Sequence, residues 1–202
     1  MYNPYDFYFN KAKKDWFKAR SAFKLEEIQH KFTIFDKTTK NIVDIGCSPG
    51  SRLQYAYAQT HKFKWKDPLI LGFDIKDTDV NFPNVFTFIQ DVTEVDSVKN
   101  TLNEYGIMPW DVDVLISDMA PNTIGMKDID AIRLFSLLEQ TFWLYEEYLR
   151  SSGKFVIKVF MGPWFEEFIV KMKKTFGPKN IKVFKPHASR KNSKETYVIK
   201  YK

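Results

Sequence analysis

Lys158 sits in the middle of FVIKVF (155–160), an apolar run that reads as a buried strand. Moving a lone ammonium out of water costs on the order of several kcal/mol, so such a residue needs a counter-charge or a task. The plainer alternative is a strand end at the surface, with the lysine stem lying along the protein and its head in water. Three more charged groups stand at the ends of other strand-like runs: LILGFD ends on Asp74, VFTFIQD on Asp91 and VDVLISD on Asp118. A single strand-ending aspartate is commonly a turn or cap residue, and Asp91 before Val-Thr-Glu suits that role. Four such positions together describe something more: carboxylates that accept hydrogen bonds from hydroxyl and amino groups, beside an amine able to exchange a proton.

Those four residues are useful to one another only if the fold brings the strand ends to one edge. Seven short β-rich runs are expected: 41–46, 69–75, 85–91, 112–118, 154–160, 181–186 and 195–201. Several are nearly continuous in apolar residues, as strands covered on both faces are. Helical stripes separate them. Leu134, Leu137, Leu138, Thr141, Phe142, Tyr145, Tyr148 and Leu149 fall on one face, and Phe165, Phe168, Ile169, Met172 and Phe176 on another. Alternating strands and helices predict an α/β fold with a doubly wound, mostly parallel sheet and helices on both faces. The last two runs are joined only by HASRKNSK, too short for a crossover, and are expected to form an antiparallel hairpin. A basic helix over about 13–31, with Trp16, Ala19, Phe23 and Ile28 inward, precedes the first strand, and a single domain over 1–202 is expected.

In an open parallel sheet, ligands bind outside the carboxyl ends of the strands. The first loop there, GCSPGSR (46–52), is a tight turn into a helix but carries neither GxxxxGK[ST] nor G-x-G-x-x-G, which disfavours simple nucleotide-phosphate and dinucleotide sites. A nucleoside-bearing ligand without pyrophosphate remains, and S-adenosylmethionine fits. The formal charge of +6 favours an anionic partner such as nucleic acid. Cys47 is the only cysteine and the three histidines share no ligand spacing, so no disulfide and no metal site is expected. No apolar run is long enough to span a membrane and the N-terminal stretch lacks a signal-peptide core; a cytoplasmic protein, monomeric and without membrane contact, is expected.

From about Lys18 onward the sequence resembles the FtsJ/RrmJ family of S-adenosylmethionine-dependent RNA 2'-O-ribose methyltransferases, which have a Rossmann-like methyltransferase fold. KARSAFKLEEI resembles the family's N-terminal helix motif, VDIGCSPGSRLQY its cofactor loop, and SDMAPN, VIKVF and SRKNSKETYVI its catalytic segments. The resemblance implies a catalytic set of Lys24, Asp118, Lys158 and Glu195, with Lys158 taking the proton of a ribose 2'-hydroxyl. A lysine serves as a base only in its neutral form, which desolvation and a second ammonium favour and carboxylates oppose. Asp118 and Glu195 are therefore expected to orient the amines and stabilise charge.

The resemblance also implies a cofactor site of Gly46, Gly50, Arg52, Asp74, Asp91 and Asp118, with the glycines admitting the methionine part of the ligand. The loop departs from the family pattern: PGSR stands where PGGW or PGGF is usual, placing Ser51 and Arg52 at the second glycine and the aromatic. Lys18, Arg20, Lys185, Arg190, Lys191 and Lys194 lie in segments that the family places around the RNA channel, where cations contact phosphates without reading sequence. The expected substrate is a uridine of large-subunit ribosomal RNA in the assembled subunit. The alternatives are the tRNA anticodon loop, an mRNA cap, and a catalytically silent RNA-binding or ribosome-assembly module with the same fold.

Overall fold

A computed structural model describes residue 10 and residues 14–63, 68–121, 124–190 and 193–202. Its elements run α1 (Ser21–Phe32), β1 (Asn41–Ile45), α2 (Ser51–Thr60), β2 (Leu69–Asp74), β3 (Val85–Ile89), α3 (Val95–Glu104), β4 (Val112–Ser117), α4 (Lys127–Gln140), β5 (Leu149–Phe160), α5 (Phe165–Phe176), β6 (Ile181–Phe184) and β7 (Glu195–Lys200). All seven strands form one sheet in the order β3-β2-β1-β4-β5-β7-β6. The first five are parallel, and β7 runs antiparallel to both β5 and β6. The Rossmann-like fold with a closing antiparallel hairpin is thus present, with the last strand inserted inside the sheet rather than at its edge.

Alternation along the strands sorts side chains into two layers. Val43, Ile45, Leu71, Phe73, Leu115, Phe155 and Ile157 pack with α3, α4 and α5 on one face. Ile42, Ile70, Val114, Ile116, Val156, Tyr197 and Ile199 pack with α1 and α2 on the other. Asp44, two residues from Ile42, and Lys158, two from Val156, belong by the same period to the α1/α2 face. Lys158 is also directly opposite Tyr197 in the β5–β7 register, which puts those two side chains on one face.

Two local expectations are corrected. The basic helix begins at Ser21 rather than near 13, of which residues 11–13 lie outside the description. Trp16 has a positive φ of 61° and is 89% exposed, not inward. Its neighbour Phe17 packs instead, edge-on to Phe23 at 5.7 Å, while the Lys18 amide donates to the Gln54 side chain of α2. The stripe from Leu134 to Leu149 is likewise not one helix. α4 stops at Gln140, a π-helical turn spans Leu144–Tyr148, and Leu149 opens β5, five residues before the strand expected at 154. Thr141 Oγ1 bonds back to the Leu137 carbonyl at 2.9 Å, where α4 ends.

Candidate functional site

The carboxyl ends of β1 to β4 open into a cleft of about 650 Å³ whose walls include Gly46, Asp74, Asp91 and Asp118, with Phe73, Val92, Met119 and Leu137 as apolar lining. That size and mixture suit a small-molecule ligand. Asp74 organises the floor: its Oδ2 accepts the Ser48 amide and its Oδ1 the Lys76 amide, both at 2.9 Å. Asp91 plays the turn role its sequence suggested, with Oδ1 accepting the Thr93 amide at 2.9 Å and hydroxyl at 2.8 Å, and still lines the cleft. Three carboxylates on the walls fit hydroxyls, an amino group and a cationic sulfonium, the donor set of S-adenosylmethionine, and do not fit a pyrophosphate.

Gly50 and Arg52 do not line this cleft. A Cβ on Gly50, whose φ is +102°, would come 2.3 Å from Val80 Cγ2. One on Gly46, φ +72°, would come 2.8 Å from the Met119 backbone nitrogen. Both glycines are therefore demanded by the chain's own approach to itself and by left-handed backbone, whatever ligand access Gly46 also gives at the cleft wall. Arg52 points away from the cleft into the α1/α2 layer. Its Nε and Nη2 donate to Asp44 Oδ1 at 3.1 and 2.9 Å, Nη2 also reaches the Gly46 carbonyl, and Nη1 meets Asp118 Oδ2 at 2.7 Å.

On that side of Asp118 the four residues of the implied catalytic set come together. Lys158 is 6% exposed; its Nζ donates to the Asp118 carbonyl at 2.7 Å and pairs with Asp118 Oδ1 at 3.1 Å. The buried lysine of the FVIKVF strand has its counter-charge, and the strand-end alternative falls. Lys24 of α1 pairs with Glu195 at 2.6 Å. Asp118 is held well below the ordinary carboxylate range, because the charges of Lys158, Arg52 and Lys24 outweigh the opposing effect of its burial. Burial pushes the Asp44 carboxyl the other way, up to about 6, with Arg52 opposing.

Tyr197 was not foreseen. Its hydroxyl lies 3.5 Å from Asp118 Oδ1 and 3.3 Å from Glu195 Oε1, joining the two ion pairs. Burial and the two flanking carboxylates raise the phenol well above its ordinary value, so it stays a hydrogen-bond donor. Its place two residues after Glu195 in a strand, and hence on the same face, was the signal available.

Of the basic residues, Lys18 lies 3.6 Å from Asp79 and Lys194 2.9 Å from Asp128, both pairs at the surface. Arg20 Nη2 donates to the Ala188 carbonyl at 2.5 Å, tying the start of α1 to the β6–β7 loop. Arg190 is exposed in that loop, and Lys191 lies outside the described residues. Among the described residues no cluster of histidine, cysteine or carboxylate side chains suits a metal ion, and no helix is long and apolar enough to cross a membrane.

Comparison with known proteins gives this arrangement its context. The profile of the FtsJ-like methyltransferase family matches residues 17–202. This chain belongs to the FtsJ-like methyltransferase family. A "Ribosomal RNA large subunit methyltransferase E" of Desulfatibacillum aliphaticivorans is 40% identical over 196 residues, 96% of this chain and 88% of that one. The protein of the same description from Bdellovibrio bacteriovorus is 37% identical, covering 98% and 96%. A crystal structure from Plasmodium falciparum, described as a ribosomal RNA methyltransferase, aligns with a TM-score of 0.78 at 26% identity, over 92% of this chain and 97% of that one. As a methyltransferase, the chain uses a methyl donor, and the cleft beside Asp118 has the size and polarity to hold one.

Proposed function

We propose that this protein methylates the 2'-hydroxyl of a ribose in large-subunit ribosomal RNA, using S-adenosylmethionine. The observation that carries the reading is the position of Asp118, which lines the donor cleft on one side and holds the Lys158 ammonium on the other. The descriptions of the relatives support the choice of RNA. S-adenosylmethionine supplies an electrophilic methyl group on a sulfonium sulfur and leaves as S-adenosylhomocysteine. Asp74 and Asp91 would accept hydrogen bonds from its hydroxyl and amino groups, and the Asp118 carboxylate would favour its positive charge.

Lys158 in its neutral form takes the proton from the 2'-hydroxyl as that oxygen bonds the methyl carbon and the carbon–sulfur bond breaks. Lys24 and Glu195 hold the acceptor ribose beside Lys158. Much of the acceleration then comes from keeping oxygen, carbon and sulfur in line. Lys18, Arg190, Lys191 and Lys194 supply phosphate contacts, and the exposed partners of Lys18 and Lys194 are weak enough to be exchanged for phosphate.

Labelled S-adenosylmethionine is offered to unmodified large ribosomal subunits, free ribosomal RNA and total tRNA, with Lys158→Ala as the control. Label at one alkali-resistant site in ribosomal material, absent with the variant, supports the reading. Label only in tRNA replaces it with the anticodon-loop activity. Failure to bind S-adenosylhomocysteine by calorimetry replaces it with the silent RNA-binding module.

A further inference from the structure

We infer that Arg52 is a positioning residue of the transfer centre: anchored on Asp44, its guanidinium fixes the Asp118 carboxylate and, through it, the Lys158 amine. The inference rests on the methyl-transfer reading above and extends it to a residue outside the four of the catalytic set. Three observations converge on it.

The first is how the Asp118 oxygens are shared. Oδ2 is taken by Arg52 at 2.7 Å and Oδ1 by Lys158 at 3.1 Å, so the carboxylate is clamped from both ends and cannot rotate without breaking one pair. The second is cost. Arg52 and Asp44 have side-chain exposures of 5% and 0%, and Asp44 Oδ2 is buried with no hydrogen-bond partner among the described residues. A buried ion pair rarely stabilises a fold more than well-packed apolar residues do, so packing alone gives no reason for a guanidinium where the family resemblance leads one to expect an aromatic. The third is access. The Arg52 side chain does not line the donor cleft but reaches two residues that do, Gly46 and Asp118, from behind.

The charged groups around the centre alternate in sign across five elements: Asp44 from β1, Arg52 from α2, Asp118 after β4, Lys158 from β5 and Glu195 from β7, with Lys24 of α1 on Glu195 and the Tyr197 hydroxyl between the two pairs. Arg52 draws part of the Asp118 charge away from Lys158. Without it, the carboxylate is held by Lys158 alone and is free to swing, taking the amine with it, and transfer slows.

The test uses Arg52→Gln, Arg52→Lys and the double variant Asp44→Asn/Arg52→Met, which removes both buried charges and so retains a route to a folded protein. Folding is checked by circular dichroism, donor-site integrity by calorimetry with S-adenosylhomocysteine, and transfer by single-turnover rates across pH. Lys158 itself is followed through its side-chain ¹⁵N signal in the unliganded protein. Loss of Arg52 charge is expected to leave S-adenosylhomocysteine affinity within about threefold, to slow transfer by tenfold or more, and to shift the Lys158 side-chain signal. Arg52→Lys recovers part of the loss.

Folded variants with the wild-type rate and Lys158 signal overturn the inference. A collapse of S-adenosylhomocysteine binding also overturns it, by placing Arg52 in donor binding. If the wild-type chain methylates none of the RNAs while the Lys158 signal still responds to Arg52, the positioning stands and the methyl-transfer reading fails.

Discussion

Asp44→Asn isolates the most deeply buried charge among the described residues. Asp44 has no exposed surface, and its carboxyl is pushed from 3.8 up to about 6, first by burial and against the pull of Arg52. An acid raised on folding binds its proton more tightly in the native state, so its contribution to stability is fully present below the unfolded value of 3.8 and is lost as pH rises through about 6. With each pH unit worth about 1.4 kcal/mol, the wild-type chain should lose about 2 kcal/mol from this group between pH 4 and pH 7. Asparagine cannot titrate and removes that slope. Urea unfolding of both proteins at half-unit steps of pH measures it directly: the difference in unfolding free energy between variant and wild type should shift toward the variant by about 2 kcal/mol across the range. Comparing the two cancels carboxylates remote from Asp44; Asp118, coupled to it through Arg52, works in the opposite sense and below this interval, because its depressed value favours the native state until pH falls below the ordinary carboxylate range. Parallel stability curves for the two proteins would refute the reasoning, showing that Asp44 keeps its charge in the fold at no cost.

Lys158→Ala should bind S-adenosylhomocysteine normally and lose about 10²–10⁴-fold in single-turnover transfer, the usual range for a general base; a wild-type rate sinks its assignment. Gly50→Ala should destabilise by about 2–5 kcal/mol in urea melts, from left-handed backbone and from crowding Val80. Adding Val80→Ala should return only the crowding part, and a loss below 1 kcal/mol in the single variant would show that the loop yields freely. Tyr197→Phe removes the hydroxyl shared by Asp118 and Glu195 and should slow transfer about tenfold without changing donor affinity, as loss of one ordinary hydrogen bond would. An unchanged rate would leave the two ion pairs independent.

The sheet was legible because strand ends here coincide with abrupt changes of residue type: apolar runs stop at Gly46, Asp74 and Asp118, and each lies within a residue of an observed strand end. Lys158 was legible for the same reason, as a cation in the middle of an unbroken apolar run. Helix limits were not. Tyr145, Tyr148 and Leu149 keep a helical stripe while the backbone passes through a π-turn into a strand, since burial demands apolar residues of either conformation. Trp16 misled because an aromatic at helical spacing reads as core until the chain's direction is known. The pairing of Arg52 with Asp44 was the larger omission: Arg52 stood out as a departure in the loop, but an aspartate inside the first strand gave no sign of being its partner, and only the sharp turn at Gly50 folds one back onto the other.

The sheet separates the site into two jobs. The donor cleft is walled by loops after β1 to β4 and by α4, whose core lies on one face, whereas Lys24, Lys158, Glu195 and Tyr197 gather in the layer of α1 and α2 on the opposite face. Among the described residues, Asp118 joins the two. Lys24 arrives on α1, which is fastened through Glu27 to the backbone amides of His187 and Ala188. A fraying of that one helix would disarm the acceptor side and leave the donor side loaded, an idling state from which no methyl group is spent. On the proposed function, the same partition would let substitutions in α1 and the β6–β7 loop retune the choice of RNA while the donor pocket, answering to different neighbours, stays as it is.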